Sequence, residues 1–192
     1  MWLSAGNALI LVLATFAQEG VQRQQAVQWG QLQPSVATVL RGGRPSGVAV
    51  LIDPSGLFLA GAGVASGGAV DGKDHMGRPI QFRVRAVDDP TQLALLEAVA
   101  WTGTARRAVR IAAIAAPGTD LIAATPNGFF RVELAKGDRF GLVSRSESRR
   151  VLPLSEVRFE NPNQASGNAA IFNAAGELVG LLDATLKAEE TV

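Results

Sequence analysis

At 192 residues with 18 basic and 17 acidic side chains, the chain is long enough to bury a substantial core without disulfides or metals, and it carries no bulk field for nucleic acid or an anionic membrane. It has no cysteine and a single histidine, His75, which excludes thiol nucleophiles, disulfides, thiolate metal sites and histidine metal clusters. No cofactor and no metal is expected, and a chain without thiols suits an oxidising compartment.

The first element is the apolar run "ALILVLATF", Ala8 to Phe16, followed by Ala17 and an abruptly polar "QEGVQRQQ". It reads as the core of a signal peptide, with small Thr15 and Ala17 placing the cut after Ala17. The run is short for a bilayer span, and no Lys or Arg precedes it, so residues 1–17 are read as a signal peptide or as an uncleaved anchor. Either reading places the domain outside the cytoplasm, periplasmic or secreted, the second with attachment to the membrane. Residues 18–33 are rich in Gln, with Val21, Ala26, Val27 and Trp29 scattered among them. They read as a linker or a short surface helix, and no part of a folding core is expected from them.

From Pro34 onward short apolar segments recur between Gly, Pro, Asn and Asp: "SVATVL", "GVAVLI", "LFLA", "PIQFRVRAV", "LALLEAV", and later "DLIAAT", "FFRVEL", "LSEVRFE", "NAAIFN" and "ELVGLL". Phe82, Val84 and Ala86 alternate with Gln81, Arg83 and Arg85, and Val157 and Phe159 with Arg158 and Glu160. Period two over short runs predicts half-buried strands, about a dozen of them. "DPSG" (Asp53 to Gly56) and "NAAG" (Asn173 to Gly176) read as hairpin turns, the second using Gly for a positive φ. The expected fold is therefore all-β, as two barrels of about six strands divided near residues 101–106.

Four stretches carry a likeness to a known family. "SGVAVLIDPSGLFLAGAGVA" is a strand, an Asp-x-x-Gly hairpin and a second strand. "GRPIQFRVRAVDDPTQLALLEA" is a hairpin, a long strand, an Asp-Pro turn and an apolar strand. "GTDLIAATPNG" and "NQASGNAAIFNAAGELVG" complete the set. From Pro34 to about Leu186 the chain resembles the trypsin-like serine proteases, in particular the bacterial HtrA (Deg) branch. The resemblance implies a trypsin-like double six-stranded β-barrel over residues 34–192, barrel one spanning about 34–100 and barrel two about 107–187. Its active site would lie in the cleft between them.

The same resemblance implies a degenerate catalytic triad. The histidine position falls on Gly63, followed by Val64, and the aspartate position on Gln92, fixed by the Leu93-Ala94-Leu95-Leu96 run. Counting back from the Asn173 and Gly176 hairpin puts the nucleophile at Gly167, whereas counting forward from Asn161-Pro162 puts it at Ala165. Ser166 lies between the two registers as a possible residual nucleophile. A serine hydroxyl needs a base within hydrogen-bond reach, itself oriented by an acceptor, and both expected positions have lost theirs. His75 lies in "DGKDHMGRP", a hairpin tip away from the cleft, and none of the lysines Lys73, Lys136 and Lys187 falls on a strand end facing it. "QASGNAA" also lacks the Gly-Gly-Pro that follows the family's nucleophile, which leaves the oxyanion hole unsupported. As a plain turn residue, Ser166 would bond its own backbone.

The expectation is a pseudoprotease: a catalytically inactive trypsin-like domain that binds or scaffolds a protein or peptide partner in the cell envelope. One alternative is an active serine peptidase with a rearranged site at Ser166, and another is a structural subunit of an envelope assembly held through residues 1–33. Nucleic acid is not an expected partner. The clusters Arg106, Arg107, Arg110 and Arg145, Arg149, Arg150 read as solvated faces, and scattered Trp2, Trp29 and Trp101 form no stacking platform.

Overall fold

The structure, a computed structural model, describes residues 29–65, 69–101, 107–112, 119–145, 148–164 and 168–182. The expected signal peptide or anchor at residues 1–17 and most of the Gln-rich stretch lie outside them. No helix among the described residues is long and apolar enough to cross a membrane.

Alternation of apolar and polar residues produces strands, and the strands form two units. In the first, β1 (Val36–Arg41), β2 (Arg44–Asp53), β3 (Leu57–Gly61), β4 (Ala69–Lys73), β5 (Pro79–Asp88) and β6 (Leu93–Val99) close a barrel in the order β1-β2-β3-β6-β5-β4. In the second, β7 (Asp120–Thr125), β8 (Gly128–Arg145), β9 (Ser148–Phe159), β10 (Ala169–Phe172) and β11 (Leu178–Leu182) form a sheet in the order β11-β10-β7-β8-β9. The sequence anticipates six strands in each unit; among the described residues the second has five.

The two hairpin turns read from the sequence form by the same chemistry. Asp53 Oδ1 accepts the Ser55 N–H at 2.8 Å, and Asn173 Oδ1 accepts the N–H groups of Ala175 and Glu177 at 3.0 and 2.9 Å. A short acceptor side chain bonded to the backbone two residues ahead is the reason Asp and Asn nucleate turns. Gly176, at φ 76°, supplies the left-handed residue of the second turn.

Barrel one is filled by alternate residues of each strand. Ala37 and Val39 of β1, Ala49 and Leu51 of β2, Phe58 and Ala60 of β3, and Ala94 and Leu96 of β6 form one buried cluster. At its centre the Phe58 ring meets Phe82 and Trp101 edge-to-face, with centroids 5.1 and 5.2 Å apart.

The intervening residues of β2, Val48 and Val50, are just as buried but face the other way, packing with Ile122 and Ala124 of β7, Ala170 and Phe172 of β10, and Leu178. The continuous run from Gly47 to Leu51 is therefore a strand buried on both faces, which an unbroken apolar stretch permits. This shared strand joins the two units. Leu32 is buried in the same cluster and Trp29 packs against it. The end of the Gln-rich stretch thus supplies core, contrary to the expectation from its composition: residues 29–32 are helical and place both side chains on the joint.

Candidate functional site

Strand β3 ends at Gly61 and runs into one turn of 3-10 helix, Ala62–Val64, with Gly63 at its middle. The turn is fixed at both ends. The Ala62 N–H donates to the Gln92 carbonyl at 2.8 Å, and the Ala65 N–H donates to the Ala62 carbonyl at 3.1 Å. The Arg41 guanidinium, reaching across from β1, donates to the Gly63 carbonyl at 2.7 Å. The segments carrying Gly63 and Gln92, distant in the chain, are therefore held together by the Ala62 N–H to Gln92 carbonyl bond.

Gln92 is buried, at 7% exposure, and takes a left-handed backbone, φ 56°. That conformation is uncommon for any residue but glycine. Its amide nitrogen donates to the Asp89 carbonyl, while its Oε1 is buried without a hydrogen-bond partner among the described residues. The side chain there is a neutral amide, with one of its two N–H donors bonded to the Asp89 carbonyl.

The third segment arrives from barrel two. Ala165, Ser166 and Gly167 lie outside the described residues, but the next residue, Asn168, anchors the end of that stretch. Its carbonyl accepts the Val48 N–H at 3.0 Å, its Nδ2 donates to the Ser46 carbonyl at 3.2 Å, and its φ is 59°. Gly47 makes room for it. A Cβ built on Gly47 would lie 2.5 Å from the Asn168 Cβ and 2.7 Å from Val64 Cγ1. Asn168 and Val64, the residue after Gly63, therefore flank the same glycine, so the segments carrying Gly63, Gln92 and the approach to residues 165–167 converge on one place.

This convergence gives a mutational test. Gly47→Ala is expected to cost about 1–3 kcal/mol, since a close-packed joint gives way only by displacing backbone. Faster amide exchange at Val48, whose bond to Asn168 would be pushed apart, is the accompanying sign; unchanged stability and exchange would mean the segments do not meet at Gly47.

His75 lies elsewhere, exposed in the turn between β4 and β5. Its neighbour Asp74 builds that turn, accepting the N–H groups of Met76 and Arg78 at 2.9 Å each and Arg78 Nε at 2.7 Å. Burial pushes the Asp74 carboxyl up, but the Arg78 backbone N–H, the Arg78 side chain and the Met76 N–H outweigh it and hold the group below its usual range. A carboxyl held low in the folded state stabilises the fold above its unfolded pKa and loses that contribution as pH falls through its folded value. Asp74→Asn is accordingly expected to lose about 1–3 kcal/mol at neutral pH. The gap between variant and wild type should close as urea titrations are taken below pH of about 4; a gap independent of pH would refute the charge-assisted turn. Of the three lysines, Lys73 is exposed at the end of β4.

Sequence reasoning located Gly63 and Gln92 but not Arg41, Gly47 or Asn168, which hold their segments in place. Nothing in the spacing marks them, because each acts across a strand or between the two units.

No protein-family model matches the sequence, and no curated protein matches it. Solved structures do match in fold. The Rv3671c protease from M. tuberculosis, in its active form, aligns with a TM-score of 0.67 at 16% identity, over 84% of this chain and 75% of that one. The inactive form of the Rv3671c protease aligns at 0.61 and 16% identity, over 81% and 80%. The MamO protease domain from Magnetospirillum magneticum aligns at 0.62 and 18% identity, over 82% and 88%. The chain therefore has the trypsin-like double-barrel fold of these protease domains.

Proposed function

We propose that this chain is a protease-fold domain without proteolytic turnover, which acts outside the cytoplasm by binding an extended polypeptide. The reading rests on Gly63 and Gln92, which the sequence resemblance puts at the histidine and aspartate positions of such proteases, and it is supported by the Ala62 N–H to Gln92 carbonyl hydrogen bond that holds their segments together. Glycine has no group to take a proton from a serine, and an amide has no charge to stabilise an imidazolium. Even an exposed Ser166 would then be a hydroxyl without a base. The exported location rests on the apolar run Ala8 to Phe16.

Strand edges of such a fold can pair with an extended segment, and main-chain hydrogen bonds give affinity without a triad. Titration calorimetry of the full chain against a permanently unfolded, carboxymethylated polypeptide tests this. Saturable heat, equal in a Ser166→Ala variant, is expected. Absence of heat at any ratio would overturn the binding role.

A further inference from the structure

On the outside of barrel one the sheet dips into a cavity of about 220 Å³, and every residue that lines it is among those described. It is separate from the candidate site. Val99, on its wall, ends β6, whereas Gln92 precedes the first residue of that strand. At about 3.3 Å per residue the two places lie roughly 20 Å apart.

Strand alternation builds the walls. Ala69 and Asp71 of β4, Gln81 and Arg83 of β5, and Val99 are exposed, while the intervening Val70 and Phe82 turn into the barrel core. The ladders arrange the exposed set as a grid: Asp71 faces Gln81, which faces Val99, and in the next row Ala69 faces Arg83. Asp71 and Arg83 are therefore diagonal neighbours, about 7–8 Å apart. Ala69 and Gln81 stand on either side of the line between them, and the small Ala69 leaves that line open.

Both charges are available. The Asp71 carboxylate makes no ion pair or hydrogen bond among the described residues, and neither does the Gln81 amide. Arg83 Nη1 stands 4.0 Å from Glu97 Oε2, and Arg85 Nη1 lies closer to that same oxygen, at 3.5 Å. One carboxylate is thus shared by two guanidinium groups. Val99, 41% exposed, and Ala69 give the space apolar sides.

We infer that this cavity binds an apolar dipeptide with free termini, its ammonium donating to Asp71 and its carboxylate accepting from Arg83. The peptide group between them bonds the Gln81 amide, and the side chains rest on Val99 and Ala69. Length selects the ligand, because two extended residues span about 7 Å, the separation of the diagonal pair. Size agrees: 220 Å³ falls below the ~300 Å³ at which pockets for drug-sized molecules begin. A single amino acid carries both charges on one carbon and reaches only one end, and an internal segment of a longer chain has neither charge. The inference needs neither the state of the triad nor the polypeptide-binding reading.

The test follows amide shifts of the isotope-labelled full chain as the dipeptide Val-Val is added, beside its N-acetyl, C-amide and doubly blocked forms. Saturable shifts centred on residues 69–71, 81–83 and 99 are expected. Each singly blocked form should bind about three- to tenfold more weakly, the loss of one charge pair at a partly open site. Asp71→Asn should erase the preference for a free amino terminus and keep that for a free carboxylate, and Arg83→Gln the reverse, a pattern that general misfolding would not give. Ala69→Phe, which fills the space and touches neither charge, should abolish the shifts; circular dichroism checks that each variant folds. Should Ala69→Phe not fold, the two charge variants decide. No saturable shift in the wild type, equal affinity for the doubly blocked dipeptide or for free valine, or undiminished binding by folded Ala69→Phe would overturn the site. Shifts confined to the segments around Gly63 and Gln92 would overturn it as well.

Discussion

Fluorogenic peptides are expected to be hydrolysed about a million-fold more slowly than by a trypsin-like protease with its triad intact, since removing the base alone costs about that much in serine protease chemistry. The loss does not depend on which of Ala165, Ser166 or Gly167 stands nearest the nucleophile position. Neither Gly63, which carries no side chain, nor Gln92, whose amide nitrogen donates to the Asp89 carbonyl, supplies a proton acceptor of the imidazole type. His75 cannot substitute from the exposed β4–β5 turn that Asp74 holds. The measurement is an initial-rate assay of the purified chain, its Ser166→Ala variant and an active-site-titrated control. A rate within about a thousand-fold of the control that vanishes in the variant would exceed what oxyanion stabilisation and binding alone supply, and would mean that another base serves the site.

Phe58→Ala is expected to lower the unfolding free energy by about 3–5 kcal/mol, the usual range for emptying a buried aromatic position. Phe58 is 1% exposed, pairs with Leu51 on one side and Leu96 on the other, and receives the edges of Phe82 and Trp101. A closed barrel cannot collapse onto the hole without breaking a ladder, so little of the cost is recovered. Urea unfolding followed by tryptophan fluorescence checks it, as a lower midpoint at an unchanged slope. The same truncation at Phe159, which is half-buried in the second sheet, is expected to cost less. Equal costs would mean Phe159 is as tightly packed as Phe58.

Much of this fold was legible because period two survives wherever one face of a strand is buried. The alternation of Gln81 to Val84 is β5 as observed but ends at a bulge between Val84 and Ala86, which leaves Ala86 exposed against expectation; "DPSG" and "NAAG" are hairpins because Asp53 and Asn173 bond the backbone ahead of them. What alternation cannot convey is a strand buried twice. The run from Gly47 to Leu51 reads as merely apolar, yet its odd and even residues serve different cores. Leu32 and Trp29 were hidden for a related reason: two apolar residues among glutamines look like surface until a second barrel supplies something to cover.

At the candidate site, the resemblance singles out Gly63 from the Asp53 and Gly56 turn and Gln92 from the Leu93–Leu96 run, and the fold joins the segments that carry them through the Ala62 N–H. No count could reveal that Asn168 adopts a left-handed backbone or that Gly47 is small because Asn168 and Val64 crowd it. These are contacts between segments far apart in the chain, with no periodicity to betray them.

The most direct test of the central claim is labelling of the purified full chain with a fluorophosphonate, beside Ser166→Ala and an active trypsin-like control. The probe reports an activated serine regardless of substrate. No labelling of a chain shown folded by circular dichroism, with the control labelled, is the predicted result. Labelling that disappears in the Ser166→Ala variant would contradict the account, because it would require a base that neither Gly63 nor Gln92 supplies.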